Sequence, residues 1–252
     1  MQNRWILTPQ FFEHPEPALS CAVPGNATQN GPHPISDRTA ESIAKLHRPI
    51  AEFVEVTTRL GERPVSIAGD CCASIPVLAG LQRASIAPVL VWIDAHGDFN
   101  TPETSPSQFL GGMPLAMMVG RGPQWMCESL DMKTQPEHRV WLIDGRDLDP
   151  LERAAMDASA VRRTGIAGLD TLKIKGPVWV HLDVDVLDSD EVSAFKYPVS
   201  GGPSVDETIA ACQGFANDNR IVAVSVSGWT GDLDEDGSTA EACNRVIGAL
   251  VA

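Results

Sequence analysis

No apolar run in this chain approaches the roughly 20 residues that a membrane-spanning helix needs, so a membrane partner is not expected. The first residues, Met1-Gln2-Asn3-Arg4-Trp5, lack the basic start, long apolar stretch and small-residue cleavage site of a secretory leader. The expected location is therefore cytoplasmic. Positive charge is scarce: 19 Lys and Arg stand against 33 Asp and Glu, a formal net charge of −14. Such a charge repels phosphate backbones, which argues against nucleic acid as a partner. It would steer a small cation inward, although ordinary solubility explains it equally well. Regular cysteine spacing is missing too. Cys21, Cys71, Cys72, Cys127, Cys212 and Cys243 are scattered through a long chain, so reduced thiols are expected rather than a disulfide framework. Repeats, heptads and low-complexity tracts are also absent, which sets aside solenoids and coiled coils.

What is present suits one α/β domain over residues 1–252, with 43% hydrophobic and 21% charged residues. After an irregular covering segment from Phe11 to Ser36, rich in Pro, Gly, His and Asn, β-type runs alternate with helical patterns. Such alternation predicts a mostly parallel sheet. The runs are Trp5–Leu7, Val65–Ala68, Val89–Ile93, Val140–Ile143, Val178–Leu182 and Ile221–Val226, and their unbroken hydrophobicity suits strands buried on both faces. Ile43, Leu46, Ile50, Phe53 and Val54 fall at helical spacing, with Pro49 expected to kink or divide the segment. Ser204-Val205-Asp206-Glu207 and Ser238-Thr239-Ala240-Glu241 both read as capping boxes.

Acids recur where these runs end: Asp70, Asp94, Asp144 and Asp183. In open α/β sheets ligands bind beyond the carboxyl ends of the strands, and acids gathered there repel one another unless cations neutralise them. Two stretches go further, Asp94-Ala95-His96-Gly97-Asp98 and Asp183-Val184-Asp185. In extended backbone alternate side chains share a face, which would align the three and the two. Four carboxylates and one imidazole are too many for one ion but suit a pair of divalent ions ~3.5–4 Å apart. Oxygen-rich ligation with a His favours Mn²⁺ over a structural Zn²⁺. The first motif alone also suits a strand end with solvated turn residues; the second motif after another buried strand favours metal.

The stretch Val91-Trp92-Ile93-Asp94-Ala95-His96-Gly97-Asp98-Phe99-Asn100-Thr101 resembles the central motif of the ureohydrolases, the family of arginases, agmatinases and formimidoylglutamases. His181-Leu182-Asp183-Val184-Asp185-Val186-Leu187-Asp188 resembles their second motif, and Asp144-Gly145-Arg146-Asp147-Leu148-Asp149-Pro150 their Arg-Asp-x-Asp-Pro segment. The resemblance implies a three-layer α/β/α sandwich, two Mn²⁺ ions bridged by hydroxide, and a trimer or hexamer. It implies Asp94, His96, Asp98, Asp183 and Asp185 as ligands, with Asp94 and Asp183 bridging and Asp98 also holding the nucleophilic hydroxide.

Three positions depart from the family. Cys71 stands where a sixth ligand is His; a thiolate there would favour Zn²⁺, Fe²⁺ or Co²⁺ more than His does, and the branch acting on hydroxylated arginine resembles this chain in carrying Cys. The alternative is a small buried thiol beside a weak or empty metal position. Gly111 falls on the proton-shuttling His, leaving Asp98 or solvent to protonate the leaving group. Ser227 falls on the guanidinium-binding Glu, with Asp232, Asp234 or Glu235 as substitutes unless they are a solvated loop. Other contacts are retained: Asn100 and Ser107 match groups holding an α-carboxylate, Asp149 and Glu152 those holding an α-amino group. Turn capping, or a helix first-turn acid for Glu152, is the structural alternative. His181 reads as a residue orienting a ligand or as a satisfied core histidine.

The expectation is a metal-dependent hydrolase cleaving a linear C–N bond in a guanidino or amidino amino acid. The alternative is a catalytically silent metal- or ligand-binding relative. A two-metal phosphoesterase would use similar carboxylates, but this chain lacks the Lys/Arg clamp that such an enzyme needs near them.

Overall fold

Apolar runs become strands of an eight-stranded parallel sheet in the computed structural model, which describes residues 1–252. Along the chain come β1 (Asn3–Thr8), a small antiparallel ribbon of β2 (Gln10–Phe11) and β3 (His14–Pro15), β4 (Thr28–Gln29) and β5 (Arg63–Ala68). They are followed by β6 (Val89–His96), β7 (Val140–Asp147), β8 (Arg162–Thr164), β9 (Pro177–Asp183) and β10 (Arg220–Ser227). The sheet order is β4-β1-β5-β10-β9-β6-β7-β8, so the five longest apolar strands after β1 lie side by side. The edge strands β4 and β8 are two and three residues long and polar, which is why hydrophobic pattern did not announce them.

Side chains alternate between two buried layers, as a pleated strand requires. Leu90 and Trp92 of β6 join one cluster, Val91 and Ile93 the other. On the first face lie α1 (Ala40–Arg59), α2 (Ile75–Arg83), and the short α3 (Pro114–Met118), α4 (Trp125–Glu128) and α5 (Pro150–Asp157). The second face is covered by α6 (Val205–Asp218) and α7 (Ser238–Val251). The result is the expected α/β/α sandwich.

Two local expectations need correction. Pro49 does not divide α1, which runs unbroken for 20 residues. An interior proline costs about 3 kcal/mol, whereas each large apolar side chain buried contributes about 1.5–3 kcal/mol, and Ile43, Leu46, Ile50 and Val54 are all buried. Ser204 and Glu207 do form a reciprocal capping box on α6. Ser238, however, is already helical, and α7 is capped instead by Asp234 and Asp236. Asp234 accepts the amides of Thr239 and Ala240 at 3.1 and 2.7 Å, and Asp236 that of Ser238 at 3.0 Å. The left-handed Gly237 sets that register. No helix is long and apolar enough to cross a membrane.

Candidate active site

Central strands deliver acids to one edge of the sheet, but turns complete the delivery. β6 carries Asp94 and ends on His96 with a register irregularity between them. Asp98 lies beyond the strand in a left-handed conformation (φ 48°), which Asp adopts more readily than most residues. Asp183 closes β9, whereas Asp185 sits in a 3₁₀ turn over Val184–Val186. Asp183 Oδ1 accepts the Asp185 amide at 3.0 Å, so an Asx turn juxtaposes the two carboxylates. Strand alternation, the expected cause, ends before Asp98 and Asp185.

Two groups of possible ligand atoms result. Cys71, Asp94 and Asp183 offer atoms within 4.8 Å of one another, and so do Asp94, His96 and Asp185; Asp94 belongs to both. Cys71 opens the 3₁₀ turn after β5 and its Sγ donates to Asp183 Oδ2 at 2.8 Å. His96 Nδ1 lies 3.1 Å from Asp185 Oδ2 and 3.5 Å from Asp94 Oδ1. Asp94 is held from below: Oδ1 accepts the His96 amide at 2.7 Å and Oδ2 the Trp92 indole N–H at 2.9 Å. Gly228, at φ 93°, passes so close to Asp183 that a Cβ there would collide with Oδ1.

Four carboxylates are buried here: Asp94, Asp98, Asp183 and Asp185. Burial first, then the charges of their neighbours, pushes Asp98 and Asp183 well above the usual carboxylate range and raises Asp94 as well. Burial pulls His96 down, but hydrogen bonds to Asp185 and Asp94 outweigh it and lift the imidazole to about 12. Burial and the adjacent carboxylates also push the Cys71 thiol up. Asp98 Oδ2 and Asp185 Oδ1 are buried without any hydrogen-bond partner. Buried orphan oxygens cost free energy unless something electropositive meets them, and the donor set of carboxylate, imidazole and thiol fits divalent ions.

Above this floor opens a cavity of about 410 Å³. Cys71, His96, Asp98, Asp183 and Asp185 line it, and so do Asn100, Ser107, Asp149 and Glu152. Asn100 Nδ2 donates to Asp149 Oδ2 at 3.0 Å, which joins the two residues expected at an amino acid's polar end. Glu152 is occupied with the backbone: Oε1 accepts the Phe99 amide at 2.8 Å and Oε2 the Asp149 amide at 3.1 Å. Burial pushes Glu152 up to about 7. Of the other acids that close apolar runs, Asp70 also lines the cavity but accepts the amides of Phe12 and Cys72, and Asp144 is paired with Arg146. Asp232, Asp234 and Glu235 are absent from the cavity wall.

At Gly111 the wall is apolar. A Cβ there would lie 2.5 Å from Cε1 and Cζ of Phe109, so that ring fills the space of a side chain at 111. Phe109 stacks on Phe11 at 6.2 Å and meets Tyr197 at 5.2 Å. Behind Cys71, Ser227 Oγ lies 3.1 Å from Sγ and 3.3 Å from His181 Nε2, while His181 Nδ1 lies 2.9 Å from Ser225 Oγ. His181 stacks on Trp92 at 3.7 Å, and burial pulls it down to about 3, so a neutral ring joins the Cys71 and Asp94 supports.

Sequence reasoning missed Trp92, the Ser227–Cys71 contact and the aromatic wall. Trp92, two residues before Asp94, shares its strand face and was findable by alternation. Phe109, Lys196 and Tyr197 reach the cavity from loops and left no periodic signal.

A sequence model of the arginase family matches residues 18–252. Arginase from Bacillus caldovelox is 29% identical over 229 residues, covering 84% of this chain and 76% of that protein. Among solved structures, arginase from Bacillus cereus superposes with a TM-score of 0.84 at 23% identity, covering 99% of this chain and 98% of the other. Arginase from Entamoeba histolytica, crystallised in complex with L-ornithine, gives 0.83 at 18% identity with full coverage of both, 100% each.

Proposed function

Because the chain belongs to the arginase family, we propose that it is a metal-dependent amidinohydrolase acting on a linear guanidino, N-hydroxyguanidino or formimino amino acid. The observation that carries this reading is the pair of ligand groups sharing Asp94 at the floor of a cavity whose wall also presents Asn100 and Asp149. Cys71, Asp94, Asp98 and Asp183 would hold one ion, and Asp94, His96, Asp183 and Asp185 the other. Mn²⁺ suits the oxygen-rich second group, and the Cys71 thiolate shifts the first toward Zn²⁺, Fe²⁺ or Co²⁺. Bound there, divalent ions would bring the pKa of a coordinated water toward neutrality.

The chain's own residues do the rest. Asn100, Ser107 and Asp149 orient the α-carboxylate and α-amino groups, which sets the amidine carbon over the acids. That the Entamoeba arginase was crystallised with L-ornithine supports an α-amino acid as the ligand class. Asp98 Oδ2, unpartnered within the protein, takes the proton of the attacking water and returns it to the departing amine nitrogen. Gly111 leaves no imidazole to share that task, and Ser227 offers no charge to a guanidinium. These features favour a second reading, a metal-binding relative without turnover.

Elemental analysis of the purified protein, followed by urea, hydroxyurea, formamide and ammonia assays on the three amino-acid classes, separates the readings. Two metal equivalents with product from one class support the hydrolase. Two equivalents without turnover support the silent relative. Failure to take up divalent ions at saturating concentration overturns both.

A further inference from the structure

A second cavity, of about 330 Å³, lies at the opposite edge of the sheet, where Val89 starts β6, Trp141 follows the start of β7 and Arg162 starts β8. The stretch of β6 from Val89 to Asp94 separates it from the acid cluster by about 17 Å at the usual rise per residue. Its lining is strongly basic in a chain of net charge −14: His138, Arg139, Arg162, Lys173 and Lys175 surround it, and no acid does. Only Lys173 among them has an acidic partner, Asp218 at 3.2 Å.

The basic groups stand on fixed supports. Arg139 Nη2 donates to Ala87 O at 2.6 Å, while its Nε is buried without a partner. Arg162 lies over the Trp141 ring at 5.4 Å from its centroid. Asn219 clamps the lysine loop, accepting the Ile174 amide at 2.7 Å and donating to Leu172 O at 2.8 Å. Like charges held together without counter-charge are destabilising unless an anion joins them.

We propose that this pocket binds a small phosphate-bearing anion, either inorganic phosphate or a phosphate monoester. The exposed Arg162 guanidinium provides forked donors matched to phosphate oxygens, and Arg139 and the lysines add positive charge. Size follows from electrostatics. At physiological ionic strength charges are screened beyond about 8 Å, so a compact anion senses the local basic lining, whereas an extended nucleic acid meets the acidic remainder of the surface.

The test is calorimetric titration of the full-length protein with inorganic phosphate and with AMP, ionic strength being matched by NaCl. The expected result is saturable binding with a Kd below 1 mM, weakened at least tenfold in the Arg162→Gln/Lys175→Gln double variant. Both side chains are exposed, so the variant is expected to melt as the parent does without anion. Equal affinities assign the site to free phosphate, and tighter AMP binding assigns it to a monoester. Absence of saturable heat overturns the proposal. So does binding undiminished in the variant, which would put the anion elsewhere, or a salt-sensitive self-association lost in the variant without phosphate heat, which would make the pocket an interface.

Discussion

Replacing Asp183 by Asn removes one charge from the buried cluster while keeping its shape. Asn Oδ1 can still accept the Asp185 amide, and Nδ2 can donate to Cys71 Sγ and Ser227 Oγ, whose own hydrogens are free to turn. Carboxylate oxygens of Asp94 and Asp183 lie within 4.8 Å, so their repulsion is at least about 3.5 kcal/mol at an effective dielectric constant near 20. The nearby His96 imidazolium and partial protonation of the pair offset some of it. The expected gain for metal-free Asp183→Asn is about 2–3 kcal/mol at pH 8, a rise in Tm of about 5–10 °C. Burial and the neighbouring charges hold Asp183 above the usual range, so the folded metal-free protein binds protons more tightly than the unfolded chain. Parent stability from this group therefore rises as pH falls toward the ordinary carboxylate range, and the advantage of the variant fades below about pH 4–5. Burial holds His47 and His181 down at about 3, which acts in the opposite direction below about pH 6.5, but it does so in both proteins and cancels in the difference. Thermal unfolding after EDTA treatment at pH 5 and pH 8, with and without Mn²⁺, reads all of this. A variant less stable than the parent at pH 8, or one stabilised by Mn²⁺ as much as the parent, would refute the reasoning.

Cys71→His should raise the ratio of Mn²⁺ to Zn²⁺ affinity at least tenfold by competition titration, and an unchanged ratio would mean that Sγ does not face the ions. Gly111→His should destabilise by about 1–3 kcal/mol through overpacking against Phe109, whereas Phe109→Ala/Gly111→His should recover stability and gain turnover. A single variant as stable as the parent in urea would show that the ring does not fill that space. Glu152→Ala strips two backbone amides of their acceptor, at a cost of about 2–4 kcal/mol. It should raise KM more than it lowers kcat, since the loops bearing Asn100 and Asp149 lose their tie; an unchanged KM would count against Glu152 as their support.

Local chemistry was legible from residues alone. Six apolar runs announced six strands because burial on both faces demands unbroken hydrophobicity. Asp94 and Asp183 announced themselves as acids closing such runs, and Ser204 with Glu207 as a cap. Asp70 and Asp144 carried the same signal and went to other partners: folding brings the Phe12 amide to Asp70, whereas Arg146, only two residues along, pairs with Asp144. The Ser238 cap failed for a local reason: Gly237 turns left-handed and hands the helix start to Asp234 and Asp236.

By itself, then, the order of residues determined which strands form and which side chains stand at their ends, because alternation and capping act over a few neighbours. Tertiary structure decided who meets whom. The order β5-β10-β9-β6-β7 sets Cys71, Asp183 and Asp94 together across more than a hundred residues, supports them with Ser227 and Trp92, and closes the wall at Gly111 with Phe109. Those contacts rest on long-range burial and exclusion of water, which no local pattern encodes.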